Sequence, residues 1–135
     1  MTAYFRRLTL ASAALAAMGL SFTAGSTSTH AQEIRAVVEL FTSQGCSSCP
    51  PADEALKIYA ARDDVLALGY HVDYWDYLGW KDTLGSAENT ARQRSYAKAM
   101  RARSVYTPQA DVDGKVHLVG SKVAGIDARI EDSLP

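Results

Sequence analysis

The only two cysteines of this 135-residue chain, Cys46 and Cys49, are spaced C-x-x-C between two segments of opposite character. Upstream, Ala36-Val37-Val38-Glu39-Leu40-Phe41 reads as a buried strand. Downstream, Ala52, Ala55, Leu56, Tyr59 and Ala60 fall on one helical face. A dithiol at a strand-to-helix turn is a chemical device, because a helix N-terminus stabilises the thiolate that does the chemistry. It also commits the chain to begin with a strand that feeds directly into a helix.

The first 31 residues differ from the rest. They hold no acidic residue, carry Arg6 and Arg7, run apolar from Leu8 to Phe22, and end in a Ser/Thr-rich stretch closing on Thr29-His30-Ala31. A positive start, an apolar middle and a small-residue cut site predict a secretory signal peptide over 1–31, cut after Ala31 or, second choice, near Ala24 or Gly25. The apolar block is too short and too rich in Ala, Gly and Ser for a membrane span, so no stable membrane insertion is expected after cleavage. Its uninterrupted character also argues against an amphipathic mitochondrial transit helix. Arg6-Arg7 hints at twin-arginine export, weakened by Thr9 where an apolar residue belongs. A periplasmic or secreted location follows as the expectation.

Residues 32–135 then form one domain, long enough for one core. Without the two leader arginines, the 14 Lys and Arg become 12 against 15 Asp and Glu, a balance of −3. Such a balance predicts no bulk attraction to nucleic acid or to anionic membrane. In an oxidising compartment two lone thiols tend to pair, and C-x-x-C spacing lets them close locally.

The domain alternates. The expected elements are a strand over 35–41, a helix over 51–62 and a strand over 65–72. An aromatic-rich connector over 73–85 leads to a helix over 86–103 that packs through Ala91, Tyr96, Ala99 and Met100 and is capped by Ser86. Strands over 109–112 and 115–119 flank the turn signal Asp113-Gly114, and a last helix covers 122–131 with Val123, Ile126 and Ile130 on one face. The order is βαβαββα, an α/β fold.

That order, with a dithiol after the first strand and Pro108 opening the third, resembles the thioredoxin superfamily. The resemblance implies a four-stranded mixed sheet with helices on both faces. More narrowly, the stretch from Glu39 to Asp53 (ELFTSQGCSSCPPAD) is similar to an exported bacterial thioredoxin-like family catalogued only as a domain of unknown function. The stretches His71 to Trp80 (HVDYWDYLGW) and Val105 to Gln109 (VYTPQ) match it too. The resemblance covers about residues 34–130. Members of that family usually continue into a further β-rich region, so this chain reads as a fragment or a shortened relative.

In thiol–disulfide exchange a thiolate attacks a disulfide, and a second thiol resolves the mixed disulfide. Cys46 is expected as the exposed attacker and Cys49 as the more buried resolving thiol, with Ser47 and Ser48 as hydroxyl donors to the thiolate. Two other readings stay open: a passive structural disulfide, and a metal pair in which soft thiolates take Cu(I) or Zn. So short a ring constrains the unfolded chain little, which favours the exchange reading. Partners would be protein or small-molecule thiols and disulfides, with no organic cofactor.

Pro50-Pro51 tempers the activation of Cys46, because a residue before proline avoids the α region and the helix is then expected to start only at Pro51. The resemblance implies that Pro108 is a cis-proline facing the dithiol and that Thr107 lines the groove beside it. It also implies that Glu39 is a buried acid that serves Cys49. The alternative for Glu39 is a strand position with access to solvent or to an arginine. The connector residues His71, Asp73, Tyr74, Trp75, Asp76, Tyr77 and Trp80 read as a cap on the core edge. A substrate rim that includes Trp75 is the functional alternative, and a metal site from His71, Asp73 and Asp76 is the weakest. Arg92, Arg94, Lys98, Arg101 and Arg103 read as a solvated helix face.

Overall fold

The computed structural model describes residues 33–133. The signal-peptide expectation for 1–31 lies outside them. Strand β1 (Ala36–Thr42), helix α1 (Pro50–Ala60), strand β2 (Val65–His71), helix α2 (Ala87–Ala99), strands β3 (Gln109–Val112) and β4 (Val116–Val119) and helix α3 (Val123–Asp132) follow in chain order. A short 3₁₀ turn, Asp76–Leu78, lies in the connector between β2 and α2. The four strands form one sheet in the order β2-β1-β3-β4. β1 runs parallel to β2 and antiparallel to β3, and β3 pairs antiparallel with β4. This α/β arrangement, a mixed sheet with helices on both faces, is compatible with a thioredoxin-like fold.

Side chains alternate across a strand, so β1 serves two environments. Ala36, Val38 and Leu40 point to one face, where they join Ala110 and Val112 of β3, Ala52, Ala55 and Tyr59 of α1, and Ile126 and Ile130 of α3 in the apolar core. Tyr59 ties the two helices together, its hydroxyl donating to Val123 O (3.2 Å) and Asp127 Oδ1 (3.1 Å). Gly120 is confined by this core. An added Cβ would lie 2.6 Å from Leu40 Cδ1 and 3.0 Å from Ala52 Cβ, so only glycine lets the chain after β4 pass.

Glu39 and Phe41 point to the other face, which α2 covers. The expected packing side of α2 is corrected here: its buried residues are Thr90, Gln93 and Ala97, while Ala91 and Ala99 are exposed. The reason is hydrogen bonding. Thr90 Oγ1 donates to Asp73 Oδ1 (2.6 Å), and Gln93 Nε2 donates to Tyr106 O (2.7 Å) and Gln109 Oε1 (3.1 Å). A polar residue with all its partners met is buried at little cost, so the helix turns a polar stripe inward.

Two boundaries also move. α2 ends at Ala99 rather than 103, because Arg101 adopts φ 55° while Ala102 N–H donates to Ala97 O (2.8 Å) and Arg101 N–H to Lys98 O (3.2 Å). That is a Schellman closure with arginine where glycine usually stands, which hides the stop in the sequence. The hairpin falls at Asp113-Gly114, both at positive φ, but pairing resumes at Val116, leaving Lys115 as a third loop residue. Asp113 is instead bound to β1. Its N–H donates to Val37 O (2.9 Å), and its Oδ1 accepts from Val37 N–H (2.8 Å).

Candidate functional site: a disulfide under the Tyr106–Pro108 loop

Between β1 and α1 the chain makes two successive tight turns. Cys46 N–H donates to Ser43 O (3.1 Å), and Cys49 N–H to Cys46 O (3.2 Å). These turns bring the sulfurs together as a disulfide, with the two Cα atoms 5.4 Å apart. The start of α1 differs from expectation: the helix begins at Pro50, and Cys49 is its cap residue in the αR region (φ −77°, ψ −33°). Two prolines are tolerated there because the first turn's N–H groups lack intrahelical partners anyway. Cys49 O accepts instead from Ala52 N–H (2.8 Å) and Asp53 N–H (3.1 Å). Asp53 in turn accepts from the Thr42 hydroxyl (2.6 Å), joining the end of β1 to the first turn of α1.

The Tyr106–Pro108 loop lies against Cys46. The Thr107–Pro108 peptide bond is cis, and Pro108 O accepts from Gly120 N–H (2.9 Å). Thr107 Oγ1–H donates to Cys46 Sγ at 3.2 Å, and the same oxygen accepts from Trp75 Nε1–H at 2.8 Å. Ser48 Oγ is 3.6 Å from Cys46 Sγ, while Ser47 is exposed. Cys46, Cys49, Ser48, Thr107, Pro108 and Trp75 are thus gathered at one place.

The exposure expected of Cys46 is corrected: it is 4 % exposed, against 0 % for Cys49. Cys46 is the less covered residue, but the Thr107 side chain contacts its Sγ and Trp75 of the connector bonds to Thr107. Trp75 comes so close that a Cβ on Gly45 would meet Trp75 Cβ at 3.1 Å.

Glu39 departs from the place the resemblance implies and takes the alternative, a strand position within reach of an arginine. It is buried, as a proton-holding acid requires, but it projects to the α2 face, across the sheet from Leu40 and from the α1 helix that carries Cys49. There Arg92 Nε (2.9 Å) and Nη2 (2.5 Å) both donate to Glu39 Oε1. The guanidinium also stacks over Tyr70 at 4.9 Å and Tyr96 at 5.3 Å. Arg92 is therefore paired although exposed, while Arg94, Lys98, Arg101 and Arg103 are exposed as a solvated face requires.

His71, Asp73 and Asp76 do not converge on one point. His71 Nδ1 pairs with Asp82 Oδ2 (2.6 Å), Asp73 accepts from Thr90, and Asp76 Oδ1 accepts from Asp82 N–H (3.1 Å). Among the described residues no three His, Cys, Asp or Glu side chains are gathered as a metal site.

Two acids that the sequence reading passed over organise the surroundings. Asp82, 1 % exposed, binds the connector to the dithiol turn: it accepts from Gln44 N–H (2.8 Å), His71 Nδ1 and Leu84 N–H (2.9 Å). Burial pushes its carboxyl up, but the Gln44 N–H, His71 and the Leu84 N–H together hold it below the usual range. Its bond to the N–H two residues on is a legible Asx-turn signal, in Asp82-Thr83-Leu84-Gly85. Asp111, 0 % exposed, stands opposite Glu39 in the β1–β3 register. Burial pushes its carboxyl up to about 6, the Gln109 amide and His117 pull it down, and Glu39 adds to the rise. Asp111 Oδ2 has no hydrogen-bond partner. Nothing in a four-residue strand QADV announces either feature.

Comparison with known proteins is narrow. No curated protein matches the chain. A crystal structure of a protein from Agrobacterium tumefaciens, solved in a structural genomics programme, is 54 % identical over 75 % of this chain, with a TM-score of 0.72. This chain spans 46 % of that protein's length. A family model described as "Protein of unknown function (DUF1223)" matches residues 37–134, which include both cysteines, the connector and the Tyr106–Pro108 loop, and the chain belongs to that family.

Proposed function

We propose that the chain exchanges thiols and disulfides through Cys46 and Cys49, acting on protein or small-molecule thiols in a periplasmic or secreted setting. One observation carries the reading: Cys46, the less covered residue of the pair, already receives a hydroxyl hydrogen bond from Thr107, beside Pro108, at its Sγ. A donor aimed at sulfur favours the charged form, and Cys46 becomes the leaving or attacking thiolate.

The steps balance without a cofactor. Starting from the disulfide, a partner thiolate attacks Cys46 Sγ. The Cys46–Cys49 bond breaks, and Cys49 leaves as thiolate and takes a proton. A second partner thiolate then attacks the sulfur of the first partner, so that Cys46 is released and the partner pair is oxidised as the dithiol is reduced. Run backwards, the reduced dithiol reduces a partner disulfide. Glu39 takes no part in either direction, since it faces α2.

A structural disulfide is the second reading, favoured by the small exposure of both cysteines. The reduction potential measured against glutathione, with Cys46→Ser as control, separates the two. Exchange gives a potential within the range of known oxidoreductases, about −120 to −270 mV, and loss of turnover in Cys46→Ser. A potential below about −300 mV, with no turnover by the intact protein, leaves only the structural reading.

A further inference from the structure

The geometry points to Trp75 as a positioning residue for Cys46, acting through Thr107 and making the connector part of the thiol's chemistry. This rests on the exchange reading above.

An indole nitrogen only donates, and a threonine hydroxyl has one hydrogen and two lone pairs. Trp75 Nε1–H, 2.8 Å from Thr107 Oγ1, must therefore occupy the acceptor side of that oxygen. The single hydroxyl hydrogen of Thr107 is left to point elsewhere, and Cys46 Sγ lies at 3.2 Å to receive it. Without the indole, the hydroxyl is free to turn and accept. With it, Thr107 is a fixed donor, and it is polarised by the bond it accepts.

Trp75 is placed from two sides: its carbonyl oxygen and Cβ occupy the space a side chain on Gly45 would need, and Asp82 fastens the connector to Gln44 and His71. A substrate rim made by the free face of Trp75 is thus secondary to what its N–H does. Stabilisation of the Cys46 thiolate depends on the connector being seated, so any partner that lifts the connector also weakens the nucleophile.

The test uses Cys49→Ala protein, in which Cys46 is the only thiol, and reads the midpoint of the pH profile for alkylation of Cys46 by iodoacetamide. Trp75→Phe keeps the ring and removes the N–H, and should raise the midpoint by about half a unit to one unit. Thr107→Val should raise it at least as much. Adding Trp75→Phe to Thr107→Val should then raise it no further, because the route through the hydroxyl is already gone. Thr107→Ser restores a hydroxyl, and should return both the midpoint and the response to Trp75→Phe. Near-ultraviolet circular dichroism and thermal melts confirm that each variant is folded.

An unchanged midpoint in folded Trp75→Phe overturns the inference while leaving exchange through Cys46 standing. So does an equal rise from Trp75→Phe in the Thr107→Val background. A Cys46 that does not react at all in the folded parent sinks the exchange reading and this inference with it.

Discussion

The two faces of the sheet obey different rules although one strand, β1, serves both. On the α1/α3 face Ala36, Val38 and Leu40 meet alanines, valines and isoleucines, and stability comes from apolar area removed from water. On the α2 face Glu39 meets Arg92, Asp111 lies opposite Glu39, and Gln93 and Gln109 bond to each other. The first face tolerates error in partners but not in volume. The second tolerates some change in volume but loses stability with each missing partner, and Asp111 Oδ2 is one it already carries.

Substitutions along β1 and its neighbours sharpen that contrast. The largest effect is expected on the apolar face. Leu40→Ala empties a site that is 2 % exposed and should cost about 2–5 kcal/mol in urea unfolding. A cost below about 1 kcal/mol would mean that this face is not the tightly packed one.

On the polar face the order of effects should be asymmetric. Arg92→Ala leaves Glu39 buried without its partner and should cost about 2 kcal/mol, less than for a fully buried pair because the Arg92 side chain is 45 % exposed. Glu39→Gln frees an arginine that can turn to water and should cost about 1 kcal/mol or less. Equal costs would show the pair behaving as an ordinary surface bridge.

The remaining effect depends on pH. Folded Asp111 keeps its proton up to about pH 6, against 3.8 for the ordinary carboxyl, so folding takes up a proton between those values. Its contribution to stability is therefore greatest below about pH 4, falls as pH rises from about 4 to about 6, and levels off above. Asp111→Asn removes that fall and should be more stable than the parent by about 1–3 kcal/mol at neutral pH, with no advantage at pH 4. An advantage that is the same at both pH values would remove ionisation of Asp111 as its cause.

The same contrast explains what was legible in the sequence. The apolar face was readable because its periods are simple: Val38 and Leu40 alternate along β1, while Ala52, Ala55 and Tyr59 recur at helical spacing. The order of elements and the dithiol turn followed from them, while the place of Pro108 facing the dithiol was implied by the resemblance. The α2 face was not readable, because its stripe is Thr90, Gln93 and Ala97, and nothing in a single sequence says that Gln93 finds Tyr106 O and Gln109. Of the two readings of Glu39, the position with access to an arginine holds, and the role beside Cys49 does not. The resemblance supplied a role for a buried acid, whereas strict alternation with Val38 and Leu40 already placed it on the face opposite α1. The end of α2 was hidden by an arginine at the left-handed position. Coverage of Cys46 was hidden as well, because it depends on how the connector folds back onto Gly45.

Everything proposed for the site turns on whether a partner thiol can reach Cys46 in the folded molecule. Cys49→Ala protein, incubated with glutathione disulfide and analysed by mass under native conditions, measures this directly. A single glutathione adduct on Cys46, formed by the folded protein, is the expected outcome. No adduct on the folded protein, with full labelling once it is unfolded in urea, would reduce the pair to a structural staple.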